Sequence, residues 1–256
     1  MLLTLNNSGL PIKLEKDTGK LYFDASLLSD HPKTRMLSES LPYYETRKSF
    51  PNDRPLYYMY RDVKKKVDTP SIDLSPFRYD ITVLLPGNIE QEPIKTIGHV
   101  HPISKLSKAS YTYTEVYSVI HGTAHYILQK FSTDFNTITD VVDLEVKEGE
   151  HVLIPSFYGH VTVNVTDEPL VMANILYRDF SSNYGPYQAN RGAALYLKRN
   201  KNTEIFSEQN INYSNLPSAK KATSIDFIPP ELKQFEPLYT QWISNLKCFT
   251  YLYTEM

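Results

Sequence analysis

The sequence predicts an all-β core with an N-terminal extension before it and a helical extension after it. Three observations carry that prediction. About eight short apolar runs follow one another between residues 79 and 177, separated by turn residues. The intervals between them are too short for helical crossovers, so the sheets should be mainly antiparallel, in a sandwich or small barrel. Beyond residue 191 the pattern changes, and Leu238, Trp242, Leu246 and Phe249 fall on one helical face.

Residues 1–75 form the predicted N-terminal extension, irregular in pattern, with short strands at 21–23 and 57–60. Its lysine run 64–66 reads as a solvated turn. The core spans 76–190. Its first strand, 81–85, ends at Pro86-Gly87, and segments 94–101 and 111–120 alternate in hydropathy. Gly122 leads into 124–131, and 141–146 runs to Glu148-Gly149. Segments 152–154, 161–165 and 170–177 complete the set. Residues 191–256 make the C-terminal extension, polar and weakly periodic over 199–229. A helix is predicted over 237–253, with Pro237 in its first turn and its apolar stripe turned to the β-core or to a partner chain.

Composition narrows the function classes. The chain has 256 residues, with 27 Lys and Arg against 29 Asp and Glu. A formal net charge of −2 leaves no basic surplus for a nucleic-acid backbone. The single cysteine, Cys248, excludes an intrachain disulfide and suits a reducing compartment. Residues 1–10 lack the basic start and cleavage site of a signal peptide. No apolar run approaches the roughly 18 residues that span a bilayer. Cytoplasmic residence without membrane attachment is therefore the expectation. The 20 tyrosines fit a strand-rich fold and can place hydroxyls in a polar sugar pocket.

The chemistry concentrates in His99-Val-His101. Strand positions i and i+2 project to one face, so both imidazoles can reach one point. Glu115, in the next predicted strand, and His160, after Pro155-Ser-Phe-Tyr-Gly, complete a candidate set of three imidazoles and one carboxylate. Such a set suits one first-row divalent metal ion, with iron, manganese, nickel and zinc all compatible. His31, His121, His125 and His151 have no such company and are assigned no ligand role. Tyr113, Glu115 and Tyr117 share a strand face. No phosphate-loop glycine pattern is present, so no nucleotide is expected.

The spacing of Glu115 to Gly122, and of Gly149 to Pro155, His160 and Asn164, resembles the two motifs of the cupin superfamily. That resemblance implies a double-stranded β-helix, a jelly-roll-like barrel with a metal in its mouth. Thirteen residues, 102–114, separate His101 from Glu115 where the common cupin motif has three or four. A long loop at the metal-bearing rim should follow. Thr96-Ile-Gly-His99-Val-His101, Tyr113-Thr-Glu115-Val-Tyr117 and Gly-His160-Val-Thr-Val-Asn164 further resemble the cupin-type, or archaeal-type, glucose-6-phosphate isomerases. Asp80-Ile-Thr82-Val, Ile175-Leu-Tyr177 and Asn183-Tyr184-Gly185 fit the same family, and the likeness covers about residues 57–185.

The resemblance implies metal ligands His99, His101, Glu115 and His160. It implies phosphate contacts from Thr82, Thr96, Gly98, Tyr177 and Tyr184, and a sugar pocket lined by Tyr113, Tyr117 and Tyr60. Threonine and tyrosine hydroxyls with a glycine N–H can hold phosphate without a cation. The implied reaction interconverts glucose 6-phosphate and fructose 6-phosphate in a homodimer, with Glu115 as base and Tyr113 or Tyr117 orienting the substrate. A metal-bound carboxylate is a weakened base, so a direct hydride shift is the competing step. A cupin dioxygenase would share the ligand set, and a non-catalytic sugar-binding cupin could retain the metal for stability. A mannose 6-phosphate substrate also stays open.

Overall fold

The computed structural model describes residues 1–108, 111–133 and 137–253. Two sheets face each other, antiparallel except at one edge. The first orders its six strands as His151–Ile154, Glu115–His121, Leu170–Tyr177, Phe77–Leu84, Pro55–Tyr60 and Lys33–Met36. The second has Tyr158–Val163, Thr123–Phe131 and Ile138–Lys147, with Lys220–Thr223 added in parallel. Gly122 and Gly149 stand at φ +92° and +87° between consecutive strands, a backbone region that favours glycine, as the turn positions predict.

One core fills the space between the sheets. Leu84, Tyr117, Val152 and Met172 meet Ala124, Tyr126, Leu128 and Leu144 from the facing sheet. The six-stranded sheet is also covered outside. There Tyr79, Ile81, Val83 and Ile175 pack against Ile12 and Leu14 from the N-terminal segment and Leu238 and Trp242 from the C-terminal one. Trp242 is fully buried, its ring stacked on Tyr79 at 6.3 Å. Burial on both faces explains why Leu170–Tyr177 is apolar almost throughout rather than alternating. Fully burying each such side chain contributes about 1.5–3 kcal/mol.

Several predicted boundaries shift. The N-terminal 75 residues are more regular than their pattern suggests. Leu2–Thr4, Ile12–Glu15 and Lys20–Phe23 form a small sheet, while Lys33–Met36 and Pro55–Tyr60 extend the large one. Lys64 is buried rather than solvated, paired with Asp62 at 2.9 Å and Asp73 at 2.7 Å. The polar stretch after residue 199 includes Ile205–Gln209, paired to Leu195–Arg199, and Lys220–Thr223. The C-terminal helix covers only Leu238–Ser244. Asn245 leaves helical geometry (φ −154°, ψ 78°), and a 3₁₀ helix, Leu246–Leu252, follows. That break lets Tyr251 and Leu252 reach the rim loop, where their carbonyls accept from Thr114 Oγ1 and N.

Segment 94–101 is not a strand. Its backbone pairs with the second sheet only through isolated bridges among the described residues, Lys95 to Val163 and His99 to His160. Tyrosine hydroxyls take over the missing ladder: Lys95 N donates to Tyr44 Oη and Ile97 N to Tyr57 Oη. Irregular backbone can be buried here because its donors still find partners. The following strand begins only at Glu115, and the preceding rim loop is pinned by an Ile103–Thr112 bridge.

Candidate metal centre

Strand alternation builds the site. On the inner face of the large sheet, neighbouring strands set Glu115 opposite Leu176, Tyr117 opposite Asn174, Asn174 opposite Asp80, and Met172 opposite Thr82. Met59 continues the row from Thr82, and Arg35 lies opposite Tyr57 at the far edge. A period of two thus aligns polar side chains on one wall. The opposite wall brings His160 on Tyr158–Val163, bridged backbone to backbone with His99: His160 N donates to His99 O at 3.0 Å.

His99, His101, Glu115 and His160 converge, with one ligand atom from each lying within 4.8 Å of all the others. The i, i+2 histidines do point together, despite the absence of a regular strand, at 5.2 Å between ring centroids. His101 Nδ1 lies 3.0 Å from Tyr113 O, which places its proton there and leaves Nε2 facing the cluster. Among the described residues, buried His101 Nε2 and Glu115 Oε2 have no hydrogen-bond partner. They stand 3.4 Å apart, and His160 Nε2 is 3.3 Å from the same oxygen.

Burial sets the protonation states. It pushes His101 down to about 3, His160 down to about 4, and His99 well below the ordinary histidine value. All three imidazoles are therefore neutral near pH 7, the state that binds metal. Burial raises Glu115, against the opposing pull of His101 and Arg61. Its other oxygen, Oε1, accepts from Asn174 Nδ2 at 2.5 Å. Neutral imidazoles and orphaned ligand atoms fit a divalent cation held by three nitrogens and one carboxylate oxygen.

A cavity of about 300 Å³ adjoins this cluster, lined by Thr82, Thr96, Tyr117, Tyr184, His99 and Glu115 among others. Thr96 Oγ1 accepts from Thr162 N at 2.9 Å, which leaves its hydroxyl proton free to donate. Burial, then the Glu115 charge, pushes the Tyr117 phenol well up, so it is a neutral donor.

Other expected residues sit elsewhere. Tyr60 points to the opposite face of its strand, where its hydroxyl accepts from Leu21 N and its ring lines a separate groove of about 650 Å³. Tyr57, on the alternate face, is the one that reaches the cavity. Tyr113 and Tyr177 do not line the cavity either. They form a stack in which Tyr177 packs on Tyr113, Tyr113 on Phe180, and Phe180 against His101. Tyr113 thus positions His101 through its carbonyl and its ring. Gly98 is also outside the lining. A Cβ there would collide with the Tyr187 ring and come within 2.6 Å of Val161 Cγ2. Gly159 has the same neighbour, since its Cβ would lie 2.5 Å from Tyr187 Oη. One buried tyrosine thereby packs against the residue before each of two candidate ligands, His99 and His160.

Sequence reasoning missed Arg35, Arg61, Arg78 and Asn174, all of which line the cavity. Arg61 Nη1 and Arg78 Nε both donate to the buried Asp80 carboxylate, at 2.7 and 2.9 Å. The alternation Arg78, Asp80, Thr82 on one strand was the available signal. Three of the four unassigned histidines have partners outside the site: His121 beside Glu148, His125 beside Asp143, and His151 against the Glu236 carbonyl, while His31 lines the separate groove near Tyr60.

Fold and ligand set together define a cupin with a candidate metal centre. Residues 36–215 match the family model described as glucose-6-phosphate isomerase (GPI). The chain belongs to that family. It is 29% identical over 124 residues to the glucose-6-phosphate isomerase of Pyrococcus furiosus, spanning 48% of this chain and 59% of that one. Against the Pyrococcus horikoshii enzyme of the same name it is 25% identical, spanning 73% of this chain and 92% of that one. The Thermococcus litoralis glucose-6-phosphate isomerase is also 25% identical, over 65% of this chain and 80% of its own length. No helix among the described residues is long and apolar enough to cross a membrane.

Proposed function

We propose that this protein is a metal-dependent aldose–ketose isomerase that interconverts glucose 6-phosphate and fructose 6-phosphate. The observation that carries the reading is the joining of three neutral imidazoles and one carboxylate to a hydroxyl-lined cavity sized for a sugar phosphate. Relatives that share the family are named for that reaction. His99, His101, Glu115 and His160 would hold the ion, with iron, manganese, nickel or zinc suited to them. When bound, it supplies a Lewis acid for the oxygens on C1 and C2 of the open-chain sugar.

The chain's own groups do the rest. Thr82, Thr96 and Tyr184 bind the phosphoryl end and so place the reacting carbons. Glu115 takes the proton from one carbon and returns it to the neighbour, a role worth roughly 10²–10⁴ in rate, while the hydroxyl proton passes between the oxygens on C2 and C1. Asn174 fixes the carboxylate through Oε1, and Tyr117 donates to a substrate oxygen. A homodimer in the cytoplasm belongs to the same proposal.

The test is to strip divalent ions with chelator, restore them singly, and follow fructose 6-phosphate conversion. Activity should vanish and return with at least one of the four metals. Conversion that ignores both treatments would reject the mechanism. Glu115→Gln separates proton transfer from a hydride shift: a metal-loaded variant with normal turnover would reject Glu115 as the base.

A further inference from the structure

The cavity carries more positive charge than its ligand set requires. Arg35, Arg61 and Arg78 all line it. Arg61 and Arg78 are tied to Asp80, which is fully buried and also accepts from Asp62 N. Arg61 additionally gives Nη2 to Met59 sulfur at 3.2 Å. Their charges are therefore partly offset inside the protein. Arg35 is different. Its ion pair is a loose one, with Glu39 at 3.6 Å on a half-exposed helical turn, its side chain also bonds the Tyr57 hydroxyl, and its Nε is buried without a hydrogen-bond partner among the described residues. A buried N–H without an acceptor is costly, and a ligand that supplies one removes the cost.

The surroundings of Arg35 specify the ligand. It lies opposite Tyr57 on the edge strand, and its charge acts on the phenols of buried Tyr57 and half-buried Tyr43, both near Tyr184. The same cavity holds Thr82 and Thr96. A guanidinium beside several neutral hydroxyl donors is suited to a tetrahedral dianion, which can accept from every one of them.

We propose that Arg35 is the cationic anchor for the phosphoryl group and the residue that makes the site select phosphorylated sugars over neutral ones. The proposal rests on the sugar-phosphate reading above and departs from a phosphate held by hydroxyls alone. Losing a charge-assisted contact of this kind should weaken binding by roughly 10- to 100-fold.

The test uses the metal-loaded full chain and calorimetric titration with sorbitol 6-phosphate, which lacks the reacting carbonyl. Arg35→Gln should raise its Kd by about 10- to 100-fold, Arg35→Lys should give an intermediate value, and Glu39→Gln, which removes only the outer ion pair, should match the wild type. In fructose 6-phosphate turnover the Arg35→Gln loss should appear in KM rather than in kcat, a split that a general loss of packing would not give. Sorbitol 6-phosphate bound equally by wild type and Arg35→Gln would overturn the role of Arg35 and leave the isomerase reading standing. Wild-type protein that binds neither sorbitol 6-phosphate nor inorganic phosphate would overturn both. If Arg35→Gln fails to fold, Arg35→Lys decides: an unchanged Kd for that folded variant rejects the guanidinium as the anchor.

Discussion

Replacing Gly98 by alanine should damage the metal centre without removing a ligand. The new methyl group would be driven into the Tyr187 ring and to within 2.6 Å of Val161 Cγ2. Tyr187 is fully buried, held by Phe131 at 6.3 Å between centroids and by the Gly159 backbone, so the ring cannot swing aside. The strain must move either that ring or the backbone that carries His99. Overpacking of this kind costs about 1–3 kcal/mol. In a domain of this size each kcal/mol lowers Tm by about 2–4 °C.

A shift at His99 should also reduce divalent-metal affinity by roughly 10- to 100-fold, the usual effect of disturbing the support of a ligand. Thermal melting of metal-free protein and competitive metal titration read the two effects separately. A double-mutant cycle identifies the cause. Tyr187→Ala alone costs about 3–5 kcal/mol through its cavity. In that background Gly98→Ala should cost less than in the wild type, because the ring clash is gone and only the Val161 contact remains. An equal Gly98→Ala penalty in both backgrounds, or a wild-type melting point for the single variant, would refute the reasoning.

Three further outcomes are expected. Asn174→Leu leaves buried Glu115 Oε1 without its donor and should cost the metal-free protein about 1.5–3 kcal/mol in urea unfolding. Divalent metal at 100 times its Kd should raise unfolding free energy by about 2.7 kcal/mol, reversed by chelator. His151 is pushed below the ordinary histidine value by burial, outweighing its contact with the Glu236 carbonyl. The unfolded chain therefore binds the proton first, so this residue's contribution is complete above about pH 6.5 and is lost as pH falls toward the depressed folded value. Comparison of urea midpoints between pH 7.5 and 5 should show a shallower decline for His151→Gln than for the wild type.

The ligand set was legible in the sequence because local spacing carries it. His99 and His101 stand two residues apart and converge even though their segment forms only isolated bridges, and Glu115 and His160 follow cupin spacing. The strands of the core were legible for the same reason, with turn residues such as Gly122 and Gly149 marking their ends. What stayed hidden depends on contacts distant in sequence. Arg35 lines the same cavity as Thr82 and Thr96 only because the Lys33–Met36 strand joins the far edge of the large sheet. The Tyr187 contacts with Gly98 and Gly159 unite three separate segments. The choice of Tyr57 over Tyr60 turned on which face of one strand meets the cavity, in a run where Leu56, Tyr57, Met59 and Tyr60 are all buried. With both faces covered, hydropathy alone could not distinguish them. The broken C-terminal helix is likewise a tertiary effect, since the chain departs at Asn245 and continues toward the rim loop.

Metal stoichiometry tests the centre most directly. Chelated wild-type protein reloaded with iron, manganese, nickel or zinc and freed of excess ion should retain one divalent ion per chain, and His101→Ala should retain less than about a tenth of that under the same washing. Wild-type protein that retains none of these ions, or a variant that holds as much as the wild type, would contradict the convergence of three imidazoles and one carboxylate on a single cation.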